Sequence, residues 1–385
     1  MDRGVTLTST VSVQRDTNVL RLEDGQQPAD VGLAGSSRAD TIVSPVIQLD
    51  ILGAFSRQKL YASATWRDTR FDRFSQFDTD SLDYRGGWSW TLGPALTGEI
   101  SGGREKQNTS FEDFFGPRRN VLTIRTVHAD LGWRPRPDRR LALSADAYDG
   151  RNSESERRGG DYATRAVRIE LAAASTGQTE AGLGFRQTDA EYPNPVFFFF
   201  TRIGNNYQQR DADLFVRLRG ERRLRAELRA GYAWRRYDEI TERNVEGPNG
   251  LISLSWAATG KIQVEASAAR DFSAVEDFDN LYTVADRERL TARYVIRPQW
   301  ALSAEFKRRK LSYRGDPAQT FFVPEPSAER RVDRSSEQRW GLTWLPSNAW
   351  IFDLSYVPQR RESTIAGLQF RSEAVQFVAQ YRVRT

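Results

Sequence analysis

Guanidinium and carboxylate groups in this 385-residue chain recur at every second position along short stretches, the spacing that sets them on one side of an extended strand. Arg125, Arg168, Arg186, Arg217, Arg225, Arg229, Arg289, Arg293 and Arg339 form one such set, interleaved with Glu227, Glu265, Glu305 and Glu337 and joined by Asp146, Glu170 and Asp213. A surface of mixed sign can pair with itself and solvate a wall; it can also hydrogen-bond passing hydroxyls or carboxylates while neighbouring acids prevent tight retention. Catalysis fits less well. His128 is the sole histidine, and a hairpin centred near Pro137 would set it opposite Asp146, with Ser144 one inward position away. No nucleophile-elbow or oxyanion pattern accompanies that trio, so no catalytic residue is expected. Asp78, Asp80 and Asp83 are spaced loosely like a calcium loop but lack its glycine and distal glutamate, and they read as a solvated loop. Neither metal nor cofactor is expected.

The alternate positions of the same stretches are apolar. Residues 224–235 read Leu-Arg-Ala-Glu-Leu-Arg-Ala-Gly-Tyr-Ala-Trp-Arg, apolar on even numbers and charged or small on odd ones, a strand with one oily and one wet face. No dry core would accept the arginines and glutamates. Both faces make sense when apolar residues meet lipid and charges line water, which predicts an all-β, transmembrane, antiparallel up-and-down barrel occupying 1–385 as one domain. About eighteen strands are expected, at 5–14, 41–53, 59–71, 82–92, 96–106, 121–134, 140–149, 162–174, 179–190, 207–219, 224–237, 249–258, 262–272, 281–296, 301–314, 331–345, 350–360 and 367–384. Their connections alternate between long, such as 15–40 and 107–120, and tight, such as 56–58 and 93–95, the rim polarity of an outer-membrane barrel. A propeller or soluble sandwich also repeats strands, but neither predicts that alternation. Trp90, Trp133, Trp256, Trp300, Trp344 and Trp350 fall near the tight turns and would form the inner aromatic girdle, with Trp66, Trp234, Tyr237 and Tyr313 in the outer one.

Composition agrees. Mean hydropathy is −0.62 with 28% charged residues, and the longest apolar run is the Val-Phe-Phe-Phe-Phe of 196–200, too short for a membrane-spanning helix. Cysteine is absent, which removes disulfides and thiolate metal sites. No apolar stretch follows Met1, so Met1 is read as standing in place of a cleaved signal peptide. The sequence pI near 9.4 overstates the basic excess, because 56 Lys and Arg face 51 Asp and Glu, and no module for base recognition accompanies them; nucleic acid is not an expected partner. The runs 307–310, 235–236 and 360–361 are basic near the extracellular ends of their strands, placed to meet outer-membrane lipid and lipopolysaccharide phosphates.

Several short pieces resemble a known family. Asp16-Thr17-Asn18-Val19-Leu20-Arg21-Leu22, Leu82-Asp83-Tyr84, Trp88-Ser89-Trp90-Thr91-Leu92-Gly93, Leu96-Thr97-Gly98, Trp256-Ala257-Ala258-Thr259-Gly260-Lys261 and Leu354-Ser355-Tyr356-Val357-Pro358 are similar to the outer-membrane barrels of exopolysaccharide biosynthesis operons, the EpsL-like group. The resemblance implies polysaccharide as cargo, a periplasmic polysaccharide export protein as partner and no catalytic residues. Outer-membrane barrels commonly finish on an aromatic residue that the barrel assembly machinery reads, whereas this sequence finishes Gln380-Tyr381-Arg382-Val383-Arg384-Thr385.

The expected function is a passive outer-membrane pore for exopolysaccharide export. A general or sugar diffusion porin is the alternative, and a structural or receptor barrel binding ligand on its loops is a third. Phe197, Phe198, Phe199 and Phe200 form a candidate gating loop, because four consecutive phenylalanines are costly to leave in water; the plainer reading is that they prolong their hairpin.

Overall fold

The structure is a computed structural model describing residues 3–109, 111–113, 118–175, 179–198, 201–219, 223–239, 241, 244–273, 282–314 and 331–384. Its strands are β1 (Arg3–Asp16), β2 (Asp40–Phe55), β3 (Gln58–Phe71), β4 (Thr79–Leu92), β5 (Leu96–Asn108), β6 (Val121–Arg136), β7 (Arg139–Asn152), β8 (Tyr162–Ser175), β9 (Thr179–Glu191), β10 (Val196–Phe198), β11 (Thr201–Ile203), β12 (Tyr207–Arg219), β13 (Leu224–Tyr237), β14 (Val245–Trp256), β15 (Ile262–Ser273), β16 (Tyr282–Arg297), β17 (Trp300–Arg314), β18 (Val332–Trp344), β19 (Trp350–Ser363) and β20 (Phe370–Arg384). All but β10 and β11 belong to one 18-stranded antiparallel sheet in which each strand pairs with its neighbours in sequence. The sheet closes on itself: β1 pairs with β2 from Arg3↔Gly53 to Asp16↔Asp40 and with β20 from Thr6↔Arg384 to Asp16↔Ala374. Closure satisfies every edge, the condition for a sheet in lipid.

The period-two pattern decides which way each side chain points. On β13 the even positions Leu228, Tyr232 and Trp234 are exposed on the outside, and on β17 the same holds for Trp300, Leu302 and Phe306. Arg104, Arg125, Arg270 and Arg308 each stand eight residues above an apolar residue at the tight-turn rim, respectively Leu96, Trp133, Ile262 and Trp300. At ~3.3 Å per residue and a tilt of ~40° the intervening apolar band is about 20 Å high, close to the ~25 Å of outer-membrane barrels. Along its lower edge runs an aromatic chain in which Trp300 stacks on Trp344 at 5.7 Å between ring centroids, Trp344 on Phe352 at 5.3 Å and Trp350 on Phe352 at 5.7 Å. Register shifts occur beside Pro135 and Pro298, where a missing amide hydrogen costs least, at a rim.

The pleat corrects three sequence expectations. Tyr237 and Tyr313 are not part of an outer girdle: both are odd-numbered on strands whose even positions face lipid, and both are buried on the inner side, where Tyr237 packs on Tyr207 at 5.4 Å and Arg331 lies 4.2 Å over Tyr313. Arg125 does not line the pore, because it shares parity with the exposed Val127, Leu131 and Trp133 of β6 and therefore faces outward. The basic runs are likewise divided: Arg308, Lys310, Arg236 and Arg360 point out, whereas Lys307, Arg309, Arg235 and Arg361 point in.

Candidate functional site

The inner wall carries two different surfaces. On β1 to β5 it is rich in hydroxyls and amides, with Thr6, Thr8, Thr10, Ser12, Gln48, Ser63, Thr65 and Ser101 on the inward parity, interspersed with charges of both signs such as Asp50, Asp83, Arg85 and Glu105. From β7 to β13 it is an ion-pair mesh centred on Glu170. The Glu170 carboxylate accepts from Arg168 (2.9 Å), Arg217 (2.9 Å) and Arg229 (2.9 Å), and Arg140 lies 3.6 Å away. Asp213 accepts two 2.7 Å hydrogen bonds from Arg168, and Glu227 accepts one of 2.5 Å from Arg229. Charges pinned in this way form a rigid wall and lend the lumen little net field.

Two glycines let the mesh lie flat. Gly184 stands directly between Glu170 and Asp213 in the register, and a Cβ there would fall 2.2 Å from Arg168 Nη2. At Gly182 a Cβ would fall 2.7 Å from the Phe215 ring. Phe215 is almost fully buried on the inner wall, with the Arg217 and Arg229 guanidiniums 4.3 and 5.3 Å from its centroid, so a phenyl ring is masked from lumenal water by cation–π stacking.

The wall from β13 to β18 is looser and more cationic. Arg225 and Arg289 border a recess of about 420 Å³ with Ser253, Ser255, Ser267 and Glu265. Arg289 reaches Glu305 at 2.6 Å, Lys307 reaches Glu337 at 2.8 Å, and Arg339 reaches Asp353 at 3.3 Å. Arg225 and Arg293 have no carboxylate within ion-pair distance among the described residues, whereas Arg186, on β9, stands opposite Asp211. Thus Arg168, Arg217, Arg229, Glu227 and Glu337 are on the wall but engaged, whereas Arg225, Arg293 and Glu265 keep their hydrogen-bonding capacity.

His128 does stand opposite Asp146, and its Nδ1 is 2.7 Å from Asp146 Oδ1 while Nε2 is 3.6 Å from Asp130. Ser144 is opposite Asp130, and no hydrogen bond joins it to the imidazole among the described residues. The ring thus lies between two carboxylates, with Ser144 across from Asp130 rather than from the ring. Asp78 accepts from the Phe71 amide (2.8 Å) and Asp83 from that of Lys106 (2.8 Å), so both carboxylates serve the backbone.

The mouth is narrowed from within. Val19, Leu20 and Leu22, from the connection after β1, form a buried cluster with Phe74 and Phe77 from the connection after β3. The stretch 16–22 is a hydrogen-bonded knot: Asp16 accepts from the Asn18 amide (2.8 Å), Arg21 (2.9 Å) and Ser372 (2.5 Å), and the Asn18 side chain donates to the Leu22 and Arg371 carbonyls. Asp40 accepts from the amides of Arg73 and Phe74, holding the second connection against β2. The third connection, after β5, contributes Phe111, packed edge-on to Phe77 at 4.7 Å. Its neighbour Glu112 reaches the far wall, where its backbone carbonyl accepts from Arg361 and its carboxylate lies 3.7 Å from Arg309. β6 and β17 are nine strands apart in either direction round the ring, so this turn crosses the lumen. Arg361 is itself locked by Asp333 at 2.7 Å.

The proposed phenylalanine gate is only partly in view. Val196↔Ile203, Phe197↔Arg202 and Phe198↔Thr201 pair as a small hairpin outside the barrel sheet, and Phe199 and Phe200 lie outside the described residues.

A closed, lipid-faced 18-stranded ring with a hydrophilic lumen and a loop-narrowed mouth defines an outer-membrane β-barrel of porin-like build. The family described as "Putative beta-barrel porin 2" matches residues 199–383, which covers the cationic wall and the closing strands. Among solved structures, OpdO of Pseudomonas aeruginosa is similar over 100% of this chain and 97% of its own, at 12% identity and a TM-score of 0.50. OpdL of the same organism is similar over 100% and 99% at 12% identity (TM-score 0.49), and the siderophore receptor PirA over 98% and 80% at 10% (TM-score 0.45). No curated protein matches. The protein is a bacterial outer-membrane barrel.

Proposed function

We propose that the barrel is a passive diffusion channel for small hydrophilic solutes, with a preference for anions. The observation that carries this reading is the pairing of a turn at Glu112 that reaches across the lumen with a β13–β18 wall on which, among the described residues, two inward arginines, Arg225 and Arg293, have no carboxylate within ion-pair distance, against one such acid, Glu265. A small anion passing the mouth meets guanidiniums that hydrogen-bond it weakly, while Glu265 and Glu305 keep it from lodging. The match to a porin family model over the second half of the chain favours this reading over polysaccharide export. A polymer in transit would have to displace a turn anchored by the Phe77–Phe111 contact and by Arg361, whereas small solutes would pass beside it.

Planar-bilayer recording of the purified protein in a salt gradient tests it. A steady open conductance whose reversal potential shows preferential anion passage is expected, together with swelling of liposomes in monosaccharides and their acids. A closed barrel in bilayers, with surface polysaccharide lost from a strain lacking the gene, would reject the proposal in favour of export.

A further inference from the structure

A groove of about 660 Å³ opens on the outward face across β13 to β17, at the level where the apolar band ends. Ala230, Gly250 and Ala268 leave space there for want of side chains, and Leu228 and Ile252 close the lower end. The register places Ala230, Gly250, Arg270, Asp286, Lys310 and Arg334 in one cross-strand row, so the shallow part of the groove leads straight to a basic rim. Arg308, in the next row, faces Glu288.

The rim is not neutralised by its own acids. Arg270 and Asp286 approach only to 3.7 Å and Arg308 and Glu288 to 3.9 Å, with Asp286 half-buried and the other three exposed, and such surface pairs are worth little. Lys310 and Arg334 have no carboxylate partner among the described residues. On the other side of the ring, at the same height, Arg104 stands directly opposite Arg125, and Asp149, the next residue across, is bonded to Arg151 at 2.7 Å. Like charges set opposite each other at an interface with lipid disfavour the pairing unless an anion joins them. The rim bearing these cations carries the long connections and is therefore extracellular, where the outer leaflet presents phosphorylated sugars on acyl chains.

We propose that the β13–β17 groove binds a phosphorylated glycolipid of the outer leaflet, with an acyl chain over Ala230, Gly250 and Ala268 and a sugar phosphate on Arg270, Arg308 and Lys310. The groove supplies what a plain lipid-facing wall lacks, a recess ending in cations. Arg334 extends the site toward a second phosphate.

Native mass spectrometry of the detergent-solubilised full chain with diphosphoryl lipid A tests the assignment, with dephosphorylated lipid A and phosphatidylglycerol as comparison lipids. A bound lipid A should survive on the wild-type barrel, and the triple variant R270Q/R308Q/K310Q should weaken it at least about tenfold while keeping the heat-modifiable folded band. Ala268→Leu, which fills the recess without changing charge, should weaken it as well, whereas the inward-facing Lys307→Gln should not. Equal retention by wild type and the triple variant would overturn the proposal. So would phosphatidylglycerol binding as tightly as lipid A, which would reduce the site to a general anionic surface. Should the triple variant fail to fold, the same comparison with the single change Lys310→Gln decides.

Discussion

Arg225 and Arg293 point into the lumen with no carboxylate within ion-pair distance among the described residues, whereas Arg229, two positions along β13 from Glu227, is held by three acids. Charge reversal therefore separates two roles that the sequence places side by side. R225E/R293E should cut the anion-over-cation permeability ratio by several-fold, read from reversal potentials, with the folded gel band intact. Glu170 behaves differently: removing a buried carboxylate that three guanidiniums share leaves uncompensated charge. Glu170→Ala should destabilise the barrel by roughly 3–5 kcal/mol, measured as a shift in the urea midpoint of reversible folding into vesicles. An unshifted midpoint would mean that water replaces the pairs at no cost. Gly184→Ala probes the same mesh sterically, since its Cβ would fall 2.9 Å from both Asp213 oxygens and must lift the Arg168–Asp213 pair into the lumen. A lower single-channel conductance is the expected result.

Among elements, the connection after β5 exerts the most leverage on transport, because it alone among the described loops reaches from its own strands to β17 and β19 on the far side of the ring. Phe111→Ala removes its hydrophobic seat on Phe77 and leaves the buried Arg361–Asp333 pair in place. Conductance should then rise or become noisy on the millisecond scale, while circular dichroism stays β-dominated; an unchanged trace would show that the Arg361 tether alone fixes the turn. This crossing was not legible in the sequence, for Glu112 and Arg361 are 249 residues apart and leave no local pattern. The eighteen strands were legible, because period two survives wherever one face meets lipid and the other water. Residue orientation was legible only when parity was carried along the strand: Arg125 goes out with Val127, and Tyr237 goes in with Arg235. The stretch 16–22, noted in the sequence for its family resemblance alone, is a physical knot whose buried Asp16 and Asn18 fold the first connection onto β20.

For the whole molecule, stability in lipid depends on closure, and β1 is the strand through which the ring closes. It shares 14 register positions with β2 and 11 with β20, and it runs antiparallel to both. β2 and β20 therefore run parallel to each other, and removing β1 does not leave two edges that can zip together in the antiparallel manner of the rest of the sheet. Each edge would instead present a row of unsatisfied amide and carbonyl groups to hydrocarbon, at several kcal/mol per group. The knot at Asp16 and Asn18 adds to this dependence, because it ties the end of β1 to Ser372 and the Arg371 carbonyl on β20. Deleting residues 3–16 should abolish the heat-modifiable folded form in detergent and in vesicles. Supplying the same residues after β20 through a flexible linker, in a circularly permuted chain, should restore it, because the permuted β1 regains both partners. A deletion variant that folds and conducts would show that the barrel can close with seventeen strands, and the assigned β1–β20 seam would have to be abandoned.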